Sequence, residues 1–193
     1  MFNRVQEADE WLLYQIHIRL GGDVQDALLP FFRNPYFWSP VYLFLLVYMW
    51  QQFGRRGIWW CICFLACFAL TDYISAGLLK PVFHRIRPCA NEELGFSFRA
   101  LIPCGRGFSM PSSHAANHVS FAAFMYLSGL GRSLWSRLLI FLWPLLVVYA
   151  QLYVGAHYPS DILVGALLGI GTGSAMAWYY RNRFGNLIQD SVA

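Results

Sequence analysis

Five apolar stretches, at roughly 36–53, 58–79, 115–130, 135–156 and 160–180, constrain this chain more than any other feature. A helix needs about 20 apolar residues to cross a bilayer, and most of these runs approach that length. The third is the shortest and is expected to borrow residues 112–114 at its start. Composition agrees: 58% of residues are hydrophobic, only 12% are charged, and the mean hydropathy is +0.43. Soluble domains carry about 25% charged residues. The expected fold is therefore all-α, a polytopic membrane bundle of about five transmembrane helices. Aromatic residues make up 18% of the chain, as suits a protein with Trp and Tyr at both lipid–water interfaces. The net charge of +4 is modest and forms no basic stripe, which excludes nucleic acid as a partner and leaves membrane lipids.

Length predicts one domain over 1–193, divided into an arm (1–35), a bundle (36–180) and a short tail (181–193). In the arm, Phe2, Val5, Leu12, Leu13, Ile16 and Leu20 recur at helical spacing, with Arg4, Glu7, Glu10 and Arg19 on other faces. This predicts an amphipathic interfacial helix ended by Gly21 and Gly22. The polar start and missing cleavage site argue against a signal peptide. Residues 11–32 are long enough to span, but Arg19, Asp23, Asp26 and the glycine pair make that costly. Pro144 predicts a kink in the fourth span. Gly165, Gly169 and Gly173 make a smooth face on the fifth, suited first to a neighbouring helix of the same chain and only second to a second copy.

Five spans place the arm, the 80–114 stretch and the 156–160 turn on one side of the membrane. The opposite side carries Arg55, Arg56, Arg132, Arg137, Arg181 and Arg183, crowded into very short segments at span ends. The first side holds eight cations, but Lys80, Arg85 and Arg87 have a chemical reason to be there. The positive-inside rule applied to the short segments makes the 80–114 side extracytoplasmic. In that compartment Cys89 and Cys104 either close a loop of about 16 residues or remain free thiols. Cys61, Cys63 and Cys67 lie in an apolar run without a nearby His or carboxylate, so they read as small hydrophobes and not as metal ligands.

Three polar clusters share that extracytoplasmic side. Lys80 and Arg87, followed by Pro88, end the second span, and the planar fork of Arg87 suits a phosphate. Pro111, Ser112, Ser113 and His114 open the third span, where capping hydroxyls and free N–H groups bind anions. His157 and Asp161 open the fifth, at a spacing that lets a carboxylate orient an imidazole. Each cluster alone also has a plain reading as a membrane anchor, a helix cap or a structural pair.

In this order and spacing, Lys-x6-Arg-Pro, Pro-Ser-x-His and His-x3-Asp resemble the type 2 phosphatidic acid phosphatase superfamily of membrane lipid phosphatases, over residues 72–170. The resemblance implies that His157 attacks phosphorus to form a phosphohistidine, with Asp161 orienting it and His114 protonating the leaving oxygen. Lys80, Arg87, Ser112 and the backbone N–H of Ser113 would hold the phosphoryl oxygens. No metal or other cofactor is implied, because phosphoryl transfer asks mainly for positioning and charge. Two positions depart from the family pattern. Ser113 stands where Gly is common, and the third motif, which normally begins Ser-Arg, here reads Ala150-Gln151. A neutral amide bonds phosphate about half as strongly as a charge-assisted donor. Arg85, Arg106 and His118 are the candidates to replace the lost charge.

Asp72, Asn117 and His118 lie inside apolar spans, as headgroup contacts or as interhelical hydrogen bonds. The expectation is a metal-independent membrane enzyme that hydrolyses a lipid phosphate or pyrophosphate, at the outer face of a bacterial inner membrane. Candidate substrates are a polyprenyl pyrophosphate, phosphatidylglycerol phosphate, phosphatidic acid and a lipid A phosphate. A phosphotransferase using the same residues is one rival, and a binding protein with a decayed site is the other.

Overall fold

A computed structural model of the chain describes residues 2–187, with side chains from Arg4 onward. The side chain of Phe2 and residues 188–193, the end of the expected tail, lie outside the described residues. Every regular element among the described residues is helical. Helix α1 (Phe2–Tyr14) runs on through a π-helical turn, Gln15–Arg19, and the segment stops at Gly21 and Gly22 as the sequence predicts. A separate short helix, α2 (Asp23–Phe32), follows. The arm buries Leu13 together with Asp9 and His17, while Val5, Trp11, Leu12 and Leu20 face outward. Its inward face is thus partly polar because it meets charged groups of its own protein, and its outward apolar face suits the interfacial position expected of it.

Helix α3 (Pro35–Asp72) is in fact a hairpin. Asn34 caps its start by accepting from Tyr36 N–H at 3.0 Å, and Pro35 takes the first helical position, where no N–H is needed. At Gly54, φ is 52° and ψ is −128°, a conformation that favours glycine, and the chain reverses there. Cys61 Sγ then donates to Leu46 O at 3.5 Å. Fifteen residues along a straight helix would separate such a pair by about 22 Å. The two arms, 35–53 and 55–72, correspond to the first two apolar stretches. The second arm continues through a π-helical segment, Tyr73–Leu79, into α4 (Lys80–Phe83). His84, at φ 48°, ends it and turns the chain back over the bundle.

Three more helices complete the bundle: α5 (Ser113–Leu127), α6 (Leu134–Tyr153) and α7 (Pro159–Phe184). Among the described residues, three stretches are long and apolar enough to cross a membrane, Pro35–Phe83, α6 and α7, and the first of them doubles back at Gly54. Helix α5 begins within the residues the third span was expected to borrow, and at 15 residues it is shorter than the usual crossing length. It is also the central element, touching α3, α6 and α7.

In lipid, helices associate through close packing and interhelical hydrogen bonds. Both are present here. A Cβ at Gly165, Gly169 or Gly173 would run into the carbonyl oxygens of Ser112, Ala116 and Ser120 respectively, so the smooth face of α7 is spent on α5 of the same chain. Thr172 Oγ1 bonds Ser120 Oγ at 3.0 Å and Thr71 Oγ1 at 3.1 Å, linking α7 to α5 and α3. Stacked rings fill the opposite half of the core, with Phe64 and Phe121 centroids 4.2 Å apart.

The long connection between α4 and α5 is held at several points. Cys89 and Cys104 form a disulfide, with Cα atoms 5.8 Å apart. Arg99 Nη1 donates to both oxygens of Asp26 at 2.6 and 2.7 Å. Arg99 N–H donates to His17 Nε2 at 3.0 Å, so the proton of that ring sits on Nδ1, which donates to Tyr153 O at 2.6 Å. Burial lowers the pKa of His17, in keeping with a neutral ring so engaged. Phe98 presses on Gly155, whose φ of 70° and lack of a side chain admit the contact two residues before His157. The arm, the loop and the end of α6 are thereby joined around the chain segment that carries the third motif.

Candidate active site

The start of α7 sets the position of His157. Pro159 occupies its first turn, and Asp161 Oδ2 accepts from Tyr158 N–H at 2.8 Å, closing the helix N-terminus. His157 therefore sits in the last turn of loop before the helix, 2% exposed, with Asp161 fully buried one turn along. His157 Nδ1 lies 3.6 Å from Asp161 Oδ2, just beyond hydrogen-bond length, and has no nearer acceptor.

The other ring nitrogen, Nε2, is 3.3 Å from Arg87 Nη1. A guanidinium only donates, so Nε2 accepts and the proton belongs on Nδ1, facing Asp161. That tautomer leaves a lone pair on Nε2, the atom that points to the cations. Burial, aided by the Arg87 and Lys80 charges and opposed by Asp161, brings the His157 pKa down to about 4. The ring is neutral, and so nucleophilic, near neutral pH.

Arg87 is itself fixed from two sides, donating from Nε to Gly107 O and from Nη1 to Ala156 O, each at 3.1 Å. Its Nη2 has no partner among the described residues. Burial lowers the pKa of Arg87, but a guanidinium remains charged. Lys80, from α4, acts electrostatically on Arg87, Asp72 and Asp161 and on both His114 and His157. The three motifs named from the sequence thus meet in one place.

The start of α5 contributes the next wall. Ser112 is the N-cap, its Oγ accepting from Ala115 N–H at 3.4 Å, and its own N–H donates to Asp161 O at 3.0 Å. The following N–H groups, of Ser113 and His114, have no carbonyl a turn behind them and remain free for an anion. The Ser112 hydroxyl oxygen is therefore a cap, which leaves its O–H free to donate beside those backbone N–H groups. Ser113 Oγ accepts from Ser75 Oγ at 2.9 Å. His114 stacks parallel to His118, centroids 6.4 Å apart.

Arg85, His118 and Arg106 occupy different places. Arg85 stands behind Asp161: Nη1 donates to Asp161 Oδ1 at 2.8 Å and Ser160 Oγ at 2.6 Å, and Nη2 donates to Asp9 Oδ2 and Gln6 Oε1, each at 2.7 Å. Burial opposes its charge, yet Asp161 and Asp9 outweigh that and hold its pKa above the ordinary value. His118 donates from Nδ1 to His114 O at 2.8 Å, and its Nε2 accepts from Tyr42 O–H at 3.1 Å, so both nitrogens are used within the protein. Arg106 is exposed on the loop.

Asp9 and Tyr42 are parts of this arrangement that sequence reasoning did not single out. Asp9 is buried and accepts from Arg85 and from Ser160 N–H at 2.8 Å, which ties the arm to the back of the site. An acidic residue in an amphipathic helix gives no sign of such a partner. Next to His114, a cavity of about 380 Å³ opens between α3 and α5. Tyr42, Leu46, Phe64, Leu65 and Phe68 make it apolar, and Asp72, Asn117 and His118 border it at the His114 end.

Cations and helix N–H groups beside a neutral buried histidine, with an apolar cavity next to them, are what a phosphatase acting on a lipid needs. The comparisons agree. The PAP2 superfamily model matches residues 60–185, and the chain belongs to that superfamily of membrane lipid phosphatases. Lipid A 4'-phosphatase of Bacteroides thetaiotaomicron is 31% identical over 174 residues, 86% of this chain and 74% of that protein. Undecaprenyl-diphosphatase of Sulfolobus acidocaldarius is 30% identical over 142 residues, 72% of this chain and 61% of that protein. Among solved structures, Aquifex aeolicus LpxE superposes with a TM-score of 0.69 at 24% identity, covering 87% of this chain and 93% of that one. The PAP2-type phosphatidylglycerolphosphate phosphatase of Bacillus subtilis superposes at 0.70 and 19% identity, covering 94% and 88%. The last two likenesses speak to the fold alone.

Proposed function

We propose that this phosphatase transfers the phosphoryl group of its lipid substrate to His157 and then to water, without a metal. The observation that carries the reading is the Arg87–His157 contact, because it leaves the nucleophilic lone pair on Nε2 and the proton on Nδ1 beside Asp161. In the first step Nε2 forms a bond to phosphorus as the bond from phosphorus to the lipid oxygen breaks. His114 gives that oxygen its proton, and Asp161 supports the positive charge that develops on His157. In the second step water attacks phosphorus, His114 takes a proton back, and inorganic phosphate leaves with His157 restored. Lys80, Arg87 and the N–H groups of Ser113 and His114 stabilise the phosphoryl oxygens throughout.

The apolar cavity beside His114 suits the first part of a hydrocarbon chain entering between α3 and α5, with the phosphate turned to the cations. The relatives' names support testing a lipid A phosphate first and a polyprenyl diphosphate second. The positive-inside reading supports an inner-membrane protein whose site faces the periplasm.

Phosphate release in detergent from lipid A, undecaprenyl diphosphate, phosphatidylglycerol phosphate and phosphatidic acid tests this. The wild type is expected to act on at least one, with His157→Ala and His114→Ala each slower by about 10³-fold or more. Activity retained in His157→Ala would remove the covalent mechanism. Release that required an added lipid or sugar acceptor would favour the phosphotransferase instead.

A further inference from the structure

The third motif lacks its usual arginine. Gln151 is fully buried in α6, and neither its Oε1 nor its Nε2 has a hydrogen-bond partner. Leaving a buried polar group unmet is costly, so a wholly unpartnered amide is where an added group would be accommodated. Arg33 immediately follows α2, whose inward face packs on this end of α6. Leu29, one helical turn before it and on the same face, belongs to one buried cluster with Ala150, Tyr153, Val154 and Ala156, against which Phe32 also packs.

Among the described residues the Arg33 side chain has no acceptor. Its Nε is buried without a partner, and none of the described residues accepts from its other nitrogens. Its charge is felt at Arg87 and at His114, so it lies on the phosphate-site side of the bundle. Burial and then the neighbouring Arg87 charge both lower its pKa. A half-buried guanidinium next to a second cation, with no carboxylate on it, is an arrangement that an anion relieves. The other replacements are committed or distant: Arg85 to Asp161 and Asp9, His118 to Tyr42 and the His114 carbonyl, and Arg106 to the exposed loop.

We propose that Arg33 grips the transferred phosphoryl group, supplying from the arm the charge that Gln151 does not supply from the third motif. This rests on the phosphatase reading above. Arg33 lies outside the family match, which begins at residue 60, so the three motifs alone do not reveal it. Its fork offers two N–H donors to two phosphoryl oxygens, which an ammonium does not match.

The test compares the wild type with Arg33→Gln, Arg33→Lys, Gln151→Arg and the double variant Arg33→Gln/Gln151→Arg. It reads kcat and KM for phosphate release, and the inhibition constant of orthovanadate, which mimics the phosphoryl group without a lipid. Arg33→Gln should lower kcat/KM by about 10²–10³-fold and weaken vanadate comparably. Arg33→Lys should lose less, about tenfold, keeping charge but not the fork. The double variant should recover at least about tenfold over Arg33→Gln, a larger gain than Gln151→Arg alone makes over the wild type.

Melting in detergent reports folding. If Arg33→Gln does not fold, Arg33→Lys decides the matter, and an unaltered vanadate constant there overturns the proposal. A folded Arg33→Gln with wild-type kcat/KM and vanadate inhibition overturns it too, as does Gln151→Arg raising turnover by orders of magnitude. A wild type that neither releases phosphate nor binds vanadate removes the phosphatase reading itself. An active wild type with an unaffected Arg33→Gln removes only the role of Arg33.

Discussion

His157 shows how single contacts set chemistry. Arg87 on one ring nitrogen and Asp161 toward the other fix its tautomer, and burial keeps it neutral. Its pKa is about 4 in the folded chain against 6.5 for an ordinary histidine. A depressed pKa means that the folded state resists the proton while the unfolded chain accepts it. The corresponding stability is complete above about pH 6.5 and is lost as pH falls from there toward 4. Melting temperatures of the wild type and His157→Asn, followed in detergent from pH 7.5 to 4, should therefore converge as pH falls through that window, the wild type losing more. Parallel curves would mean that His157 is not held neutral. Its partners were legible to different degrees. The motif spacing indicated Lys80, Arg87, His114 and Asp161, because each lies at a span end on one side of the membrane. It could not indicate that Arg85 backs Asp161 or that Asp9 backs Arg85, since these bonds join residues 76 apart, and in the second case cross from the arm to the loop.

At the scale of elements, the site depends on how closely α5 and α7 approach. Helix α5 brings His114 and helix α7 brings Asp161, and the Ser112 N–H to Asp161 O bond joins their first turns. The glycine face of α7 makes that approach possible, and its four-residue repeat was readable as a packing face. Its partner was expected in the same chain ahead of a second copy, although a smooth stripe can serve either. Only the Cβ positions opposite Ser112, Ala116 and Ser120 decide it. Gly169→Ala would drive a methyl group against the Ala116 carbonyl, a backbone atom that cannot rotate away. The expected loss is about 1–3 kcal/mol of stability, seen as a lower melting temperature in detergent. Activity measured well below melting should also fall, because the His114–His157 spacing changes with the helix separation. Unchanged melting would show that the bundle absorbs the methyl group elsewhere. The hairpin in α3 was half legible: two apolar runs separated by Gly54 through Gly57 predicted two passes. The arm was less so, because its amphipathic pattern does not show that Asp9 and His17 turn inward.

For the molecule as a whole, the remaining question is which side of the membrane carries the site. The charge count alone does not decide, since the site itself concentrates cations. The short Arg-rich segments at the opposite ends of the helices are the better guide, because the positive-inside bias acts over short loops. The disulfide is a second and independent indication, as Cys89 and Cys104 bond in the loop on the site's side and such bonds persist in oxidising compartments. These two arguments predict the same labelling pattern. In spheroplasts treated with a mild reductant, a membrane-impermeant maleimide should modify Cys89 and Cys104 from outside, and should fail without the reductant. The other three cysteines provide the internal control: Cys63 and Cys67 are buried and Cys61 is partly buried, all within the second arm of α3. A Cys89→Ser/Cys104→Ser variant should take up no label under either condition. Labelling that appeared only after permeabilisation would put the loop in the cytoplasm. It would also reverse the orientation of the whole bundle, because α4, α5 and α7 all present their site residues at that one end.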